Sequence, residues 1–95
     1  MRFTWDDGKK QANLVKHGIR FEEAQTVFDD PLSISVVDIE HSIYEERWQT
    51  IGFSSSGRLL LVVHIYGVLN DNEEIRIISA RKATYRERQD HEKNF

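Results

Sequence analysis

The apolar residues of this 95-residue chain change their period once, at Asp29-Asp30-Pro31. Before that point Phe21, Ala24, Val27 and Phe28 fall at helical spacing. After it Leu32, Ile34 and Val36 alternate, and Val37 and Ile39 take the opposite phase, which reads as a strand with a bulge or one buried on both faces. Proline disfavours a helical conformation in the residue before it, so the second helix ends there. A chain with helical spacing first and strand spacing afterwards must pack helices on a sheet of mainly antiparallel strands, an α+β fold.

The remaining elements follow from the same reasoning. Arg2 to Trp5 is short enough for an opening edge strand. Asp6 is an N-cap for a helix to about His17, with Ala12 and Val15 on its inner face, and Gly18 ends it. Glu45 to Phe53 is a strand, and Ser54-Ser55-Ser56-Gly57 is a turn. Leu59 to Tyr66 is nearly all apolar and should be a central strand. Asn70-Asp71-Asn72 is a loop. Glu73 to Ala80 is the last strand, with Ile75 and Ile77 on one face and Arg76, Ile78 and Ala80 on the other. Thr84 and Glu87 form a capping box for a final helix, Tyr85 to about Lys93, which has almost no apolar seam. The expected order is β-α-α-β-β-β-β-α, in a single domain spanning residues 1–95.

Composition narrows the function classes. There is no cysteine, which removes disulfides and thiol catalysis and suits a reducing cytoplasm. No apolar run approaches membrane-spanning length, and the N-terminus lacks a signal-peptide core, so no membrane partner is expected. The net charge of −3 does not announce a nucleic-acid binder. Yet the stretch IRIISARKATYRER, residues 75–88, collects Arg76, Arg81, Lys82, Arg86 and Arg88.

Arg81 and Lys82 arrive where a strand turns into a capped helix, and a helix N-terminus favours anions. Together they make a plausible phosphate site. The plainer alternative is a solvated surface, with Arg86 and Arg88 paired to Glu87, Asp90 or Glu92. Arg76 sits between two isoleucines and needs a ligand or an ion pair with Glu45, Glu46 or Asp38. His64 closes the most apolar strand and is either a proton-transfer group or a hydrogen-bonded sheet residue. His17 suits the end of its helix, and His41 and His91 lie in polar stretches and should be exposed. The histidines lack metal-ligand spacing, so neither a metal nor another cofactor is expected. Trp48 and Tyr85 have the chemistry to stack on bases, although Trp48 is better read as core.

Taken together, these segments resemble one known family, the BrnT toxins. The resemblance is carried by F-x-W-D with Lys9 and Asn13, K-H-G-I at 16–19, and F-E-E-A with V-F at 21–28. It continues through H-S at 41–42, E-E-R at 45–47, I-G at 51–52, G-R-L-L at 57–60 and V-V-H at 62–64. The run I-R-I-I-S-A-R-K-A-T at 75–84, with Glu87 and Arg88, is the most specific. The resemblance implies a RelE-like fold and a toxin of a type II toxin–antitoxin system that cleaves RNA without a metal. It implies growth arrest, relieved by a BrnA-like antitoxin with a ribbon-helix-helix DNA-binding part, through which the complex reaches operator DNA.

Metal-free RNA cleavage needs an activated 2′-hydroxyl, positive charge on the phosphate and an acid for the leaving oxygen. On that reading Arg47, Arg76, Arg81 and Lys82 hold the phosphate. His64 or Glu46 transfers the proton, unless Glu46 only holds Arg47 in place. Tyr85, Arg86 and Arg88 contact the RNA. Arg47, His64, Arg76 and Arg81 should then surround one concave surface. The competing reading is a binding module without catalysis, serving as co-repressor.

Overall fold

The computed structural model describes residues 1–42 and 45–94. Its strands are β1 (Arg2–Trp5), β2 (Ile34–Asp38), β3 (Arg47–Phe53), β4 (Leu59–Leu69) and β5 (Asn72–Lys82). Its helices are α1 (Asp7–His17), α2 (Phe21–Gln25) and α3 (Tyr85–Glu92), with single 3-10 turns at Thr26–Asp29 and Ile39–His41. The five strands form one sheet in the order β1-β5-β4-β3-β2. Only β1 runs parallel to its neighbour, because α1 and α2 carry the chain away from it before β2 begins.

One face of the sheet is buried under α1 and α2. Leu60 and Val62 of β4 meet Ile75, Ile77 and Ala80 of β5, and Ile19, Phe21, Ala24 and Val27 close over them. The FEEA segment serves both this core and the turn beyond β3. Phe21 and Ala24 point inwards, while Glu23 accepts hydrogen bonds from Arg58, Ser54 and Ser56. Hydrogen bonding from Arg58, then from the two serines, holds the Glu23 carboxyl down at about 2.

Several element boundaries and faces differ from the sequence reading. The β4–β5 hairpin is longer, because Asn70 and Asp71 make a two-residue turn with φ of 52° and 63°. Both side chains tolerate that left-handed conformation, so the strands extend to the turn. Ile39 leaves the strand for a 3-10 turn and is exposed. In α1, Ala12 and Val15 point to solvent, and Asn13 is the buried residue. Its amide donates to the carbonyls of Ile19 (3.0 Å) and Ala80 (2.9 Å) and accepts from the Ala80 N–H (3.0 Å). β1 pairs only as far as Ile77, so this side chain takes the place of the missing strand beside Ala80.

The alternation in β5 is also broken. His64 pairs with Ile77 but Val63 pairs with Ser79, which leaves Ile78 as the extra residue of a bulge. Ala80 therefore returns to the core face with Ile75 and Ile77, contrary to strict alternation. The same bulge puts Arg81 on the face of Arg76, although five positions separate them.

Candidate functional site

The other face of the sheet is open over much of its area. Cross-strand partners share a face, so the pairing register reads it out directly. One row runs Asp38, Arg47, Ile65, Arg76 and Thr4 across all five strands. The next runs Val36, Gln49, Val63 and Ser79, and the third runs Ile34, Ile51, Leu61 and Arg81. Helix α3 folds back over the end beyond the third row. The buried ring of His91 meets Phe53 edge-on at 5.8 Å and lies 3.2 Å from the Leu32 carbonyl. His91 is therefore the docking residue of a helix that otherwise has no apolar seam, contrary to its expected exposure.

Arg47 and Arg76 flank Ile65, two strand spacings or about 10 Å apart at the backbone. Among the described residues neither has a carboxylate within ion-pairing distance. Arg76 is exposed, and its charge contributes to the lowered pKa of Glu74, after Arg2 and Thr4. The expected pairing of Arg76 with Glu45, Glu46 or Asp38 does not occur. The floor between the two guanidiniums is half-buried Ile65 and Val63. Two guanidiniums outside any ion pair, over an apolar floor, suit an anion whose ester oxygens and sugar lie against carbon.

Arg81 shares the face but not its electrostatic state. Both terminal nitrogens bond to Glu87, at 2.8 and 2.9 Å. Glu87 also accepts from the Thr84 N–H at 2.8 Å, and its own N–H donates to the Thr84 hydroxyl at 3.1 Å. The capping box thus doubles as the receptor for Arg81 and clamps α3 to β5. Hydrogen bonding to Arg81 first, then to the Thr84 backbone, lowers the Glu87 pKa. Arg81 also lies about 15 Å along β5 from Arg76, too far to share one phosphate with it. Arg86 and Arg88, expected to pair with acids of their own helix, are exposed and form no ion pair among the described residues. Tyr85 is exposed, its hydroxyl accepting from Gln89 at 2.9 Å.

Three of the expected site residues lie elsewhere. His64 lies on the core face of β4 with Leu60 and Val62, between Trp48 and Ile77 of the neighbouring strands, and is 4% exposed. Its Nε2 lies 2.7 Å from the Thr50 hydroxyl, which in turn lies 2.7 Å from that of Ser35. Its ring meets Phe28 edge-on at 4.8 Å. Nδ1 has no partner, and burial pushes the imidazole pKa down to about 4. His64 is thus a hydrogen-bonded sheet residue that cannot reach a substrate on the open face. Glu46 accepts from the Trp48 indole at 3.1 Å, and Trp48 pairs with His64 on the core side. That contact draws Glu46 away from Arg47, so it does not hold Arg47 in place. Lys82 pairs with Leu60 and leaves the sheet opposite Arg81. Of Arg47, His64, Arg76 and Arg81, expected around one concave surface, the three arginines share the open face and His64 does not.

The structure also shows a group that the sequence reading passed over. His41, at the end of the 3-10 turn after β2, places Nδ1 3.1 and 3.0 Å from the two oxygens of Asp38. Asp38 is the direct cross-strand neighbour of Arg47. It also accepts from Gln49 Nε2 at 3.0 Å, and Gln49 first, then His41, lowers its pKa. The spacing D-x-x-H in the sequence was the available signal. It is weak alone, because nothing in the sequence says that the strand ends in a tight turn there.

Comparison with known proteins matches this chain over residues 5–87 to the family described as ribonuclease toxin, BrnT, of type II toxin–antitoxin systems. A search of curated proteins returns no match. Among solved structures, the Brucella abortus ribonuclease toxin BrnT superimposes with a TM-score of 0.61 at 23% identity, covering 88% of this chain and 97% of that one. At that identity the superposition speaks for the fold, while the family match spans most of the chain. The chain belongs to the BrnT family of ribonuclease toxins of type II toxin–antitoxin systems.

Proposed function

We propose that this toxin cleaves RNA on the open face of its sheet, with Arg47 and Arg76 holding the scissile phosphate. The observation that carries this reading is the pair of guanidiniums, neither in an ion pair among the described residues, flanking Ile65 in one row of the sheet. Developing charge on a pentacoordinate phosphate needs positive donors, and two arginines set in one row of the sheet supply them. The reaction is attack of the 2′-hydroxyl on the adjacent phosphorus, with no metal required. Arg81 acts as a positioning residue that fixes α3, while Lys82, Tyr85, Arg86 and Arg88 contact the flanking RNA. The fold is RelE-like.

The physiological partner is a BrnA-like ribbon-helix-helix antitoxin. An acidic segment of that antitoxin covers the arginine row and carries the complex to operator DNA. The site of action is the cytoplasm, and unopposed toxin arrests growth. Induced expression tests this reading, with growth and total RNA integrity followed beside Arg47→Ala and Arg76→Ala. Arrest and RNA loss are expected with the wild type alone. Folded wild-type protein that leaves both growth and RNA intact would place the chain with binding modules that act as co-repressors.

A further inference from the structure

We propose that His41 is the general base of the reaction and that Asp38 is its positioning residue. This inference rests on the RNA-cleavage reading given above. It stands on the geometry at the end of β2. The His41 side chain is 65% exposed, whereas that of Asp38 is only 10% exposed. A sheltered carboxylate therefore anchors an accessible imidazole.

The turn that presents the ring is fastened to β3. The Ser42 hydroxyl donates to the Asp38 carbonyl and accepts from the Arg47 N–H at 2.9 Å. The backbone of His41 is thus fixed relative to Arg47. With Nδ1–H directed at Asp38, the lone pair of the neutral ring sits on Nε2. Nε2 has no partner among the described residues. The charged groups of the two chain segments that meet here are Asp38 and Glu40 on its own side, and Glu45, Glu46 and Arg47 at the entry to β3. Of these, Asp38 touches the ring, and Arg47 is the neighbour of Asp38 across the strand pair.

The step balances as follows. Nε2 takes the proton of the ribose 2′-hydroxyl, and the 2′ oxygen forms a bond to the adjacent phosphorus. The bond from phosphorus to the 5′ oxygen breaks, and that oxygen takes a proton from water. The hydroxide so formed recovers the proton from the His41 imidazolium. The products are a 2′,3′-cyclic phosphate and a 5′-hydroxyl. Arg47 and Arg76 hold the non-bridging oxygens throughout.

The test uses the full-length protein and an end-labelled RNA oligonucleotide, with a 2′-O-methyl version as the binding probe. Wild type should yield the cyclic phosphate. His41→Ala should cleave about 100-fold or more slowly, bind the probe as wild type does and regain activity with added imidazole. Asp38→Asn should lower kcat with KM unchanged, and adding it to His41→Ala should cost nothing further. If wild type cleaves and His41→Ala cleaves equally well, the base assignment falls while the nuclease reading stands. A His41→Ala protein that loses probe binding, or that imidazole does not rescue, also overturns it. If wild type cleaves no RNA, the nuclease reading fails first and takes the base with it.

Discussion

Replacing His64 by glutamine should remove one defined part of the acid sensitivity of this fold. The imidazole is 4% exposed, and its Nδ1 has no hydrogen-bond partner. The least costly arrangement has Nε2–H donating to Thr50 and Nδ1 bare. A proton on Nδ1 would bury a charge with nothing to receive it. This explains why the folded pKa falls from the ordinary 6.5 to about 4. Above pH 6.5 neither folded nor unfolded chain binds the proton, so stability does not depend on this group. Between pH 6.5 and about 4 the unfolded chain takes it up and the folded chain does not, so stability declines as pH falls. At about 1.4 kcal/mol per pH unit the loss totals about 3 kcal/mol, and it levels off below pH 4.

Glutamine keeps the hydrogen bond to Thr50 and does not titrate, but it loses the edge contact with Phe28, worth about 1 kcal/mol. Wild type should therefore be the more stable at pH 7, and the variant should equal or exceed it at pH 4. Urea unfolding followed by tryptophan fluorescence, at intervals from pH 7 to pH 4, measures the difference. The Glu23 carboxyl, lowered from 4.5 to about 2, begins to lose its own contribution as pH falls through about 4.5, and it does so alike in both proteins. Parallel stability curves for the two proteins between pH 6.5 and 4 would refute the reasoning. Folded His64→Gln protein should also retain RNA cleavage, because His64 faces away from the arginine row.

Three further outcomes are expected. Asn13→Ala strands the N–H and C=O of Ala80 and the carbonyl of Ile19, and should cost about 3 kcal/mol, seen as a lowered Tm. Gly52→Ala would place a Cβ 2.9 Å from that of Ser33 and 3.0 Å from a Val27 methyl, and should cost about 1–3 kcal/mol in urea unfolding. Arg81→Ala should loosen α3 at a cost of about 1 kcal/mol, because the pair with Glu87 is partly solvent-screened. Faster amide exchange confined to residues 85–92 would report it.

The sheet was legible in the sequence because its signals are local. The apolar run from Leu59, the alternation around Ile75 and the Thr84–Glu87 capping box each point to one element. The bulge at Ile78 was not legible, since it depends on how β5 meets β4. That single residue decides that Ala80 is core and that Arg81 joins Arg76. The buried side of α1 misled for a related reason. Asn13 is inside because β1 stops short beside Ala80, a fact of topology that no helical period records. At the site, the arginines could be named from their cluster, but the partners of His64 and His41 could not. His64 lies in an apolar run and His41 in a polar one, and burial followed those surroundings. The turn at Ile39–His41 then gave the exposed histidine a carboxylate.

The central claim is that Arg47 and Arg76 hold the phosphate across Ile65. The most direct measurement is the cleavage rate of a defined RNA oligonucleotide by purified wild type, Arg47→Ala, Arg76→Ala and, as a surface-charge control on the helix-covered side, Arg20→Ala. Each of the first two variants should fold normally and cleave about 100-fold or more slowly, while Arg20→Ala stays close to wild type. Folded Arg47→Ala and Arg76→Ala proteins that cleave as fast as wild type would contradict the assignment of the open face.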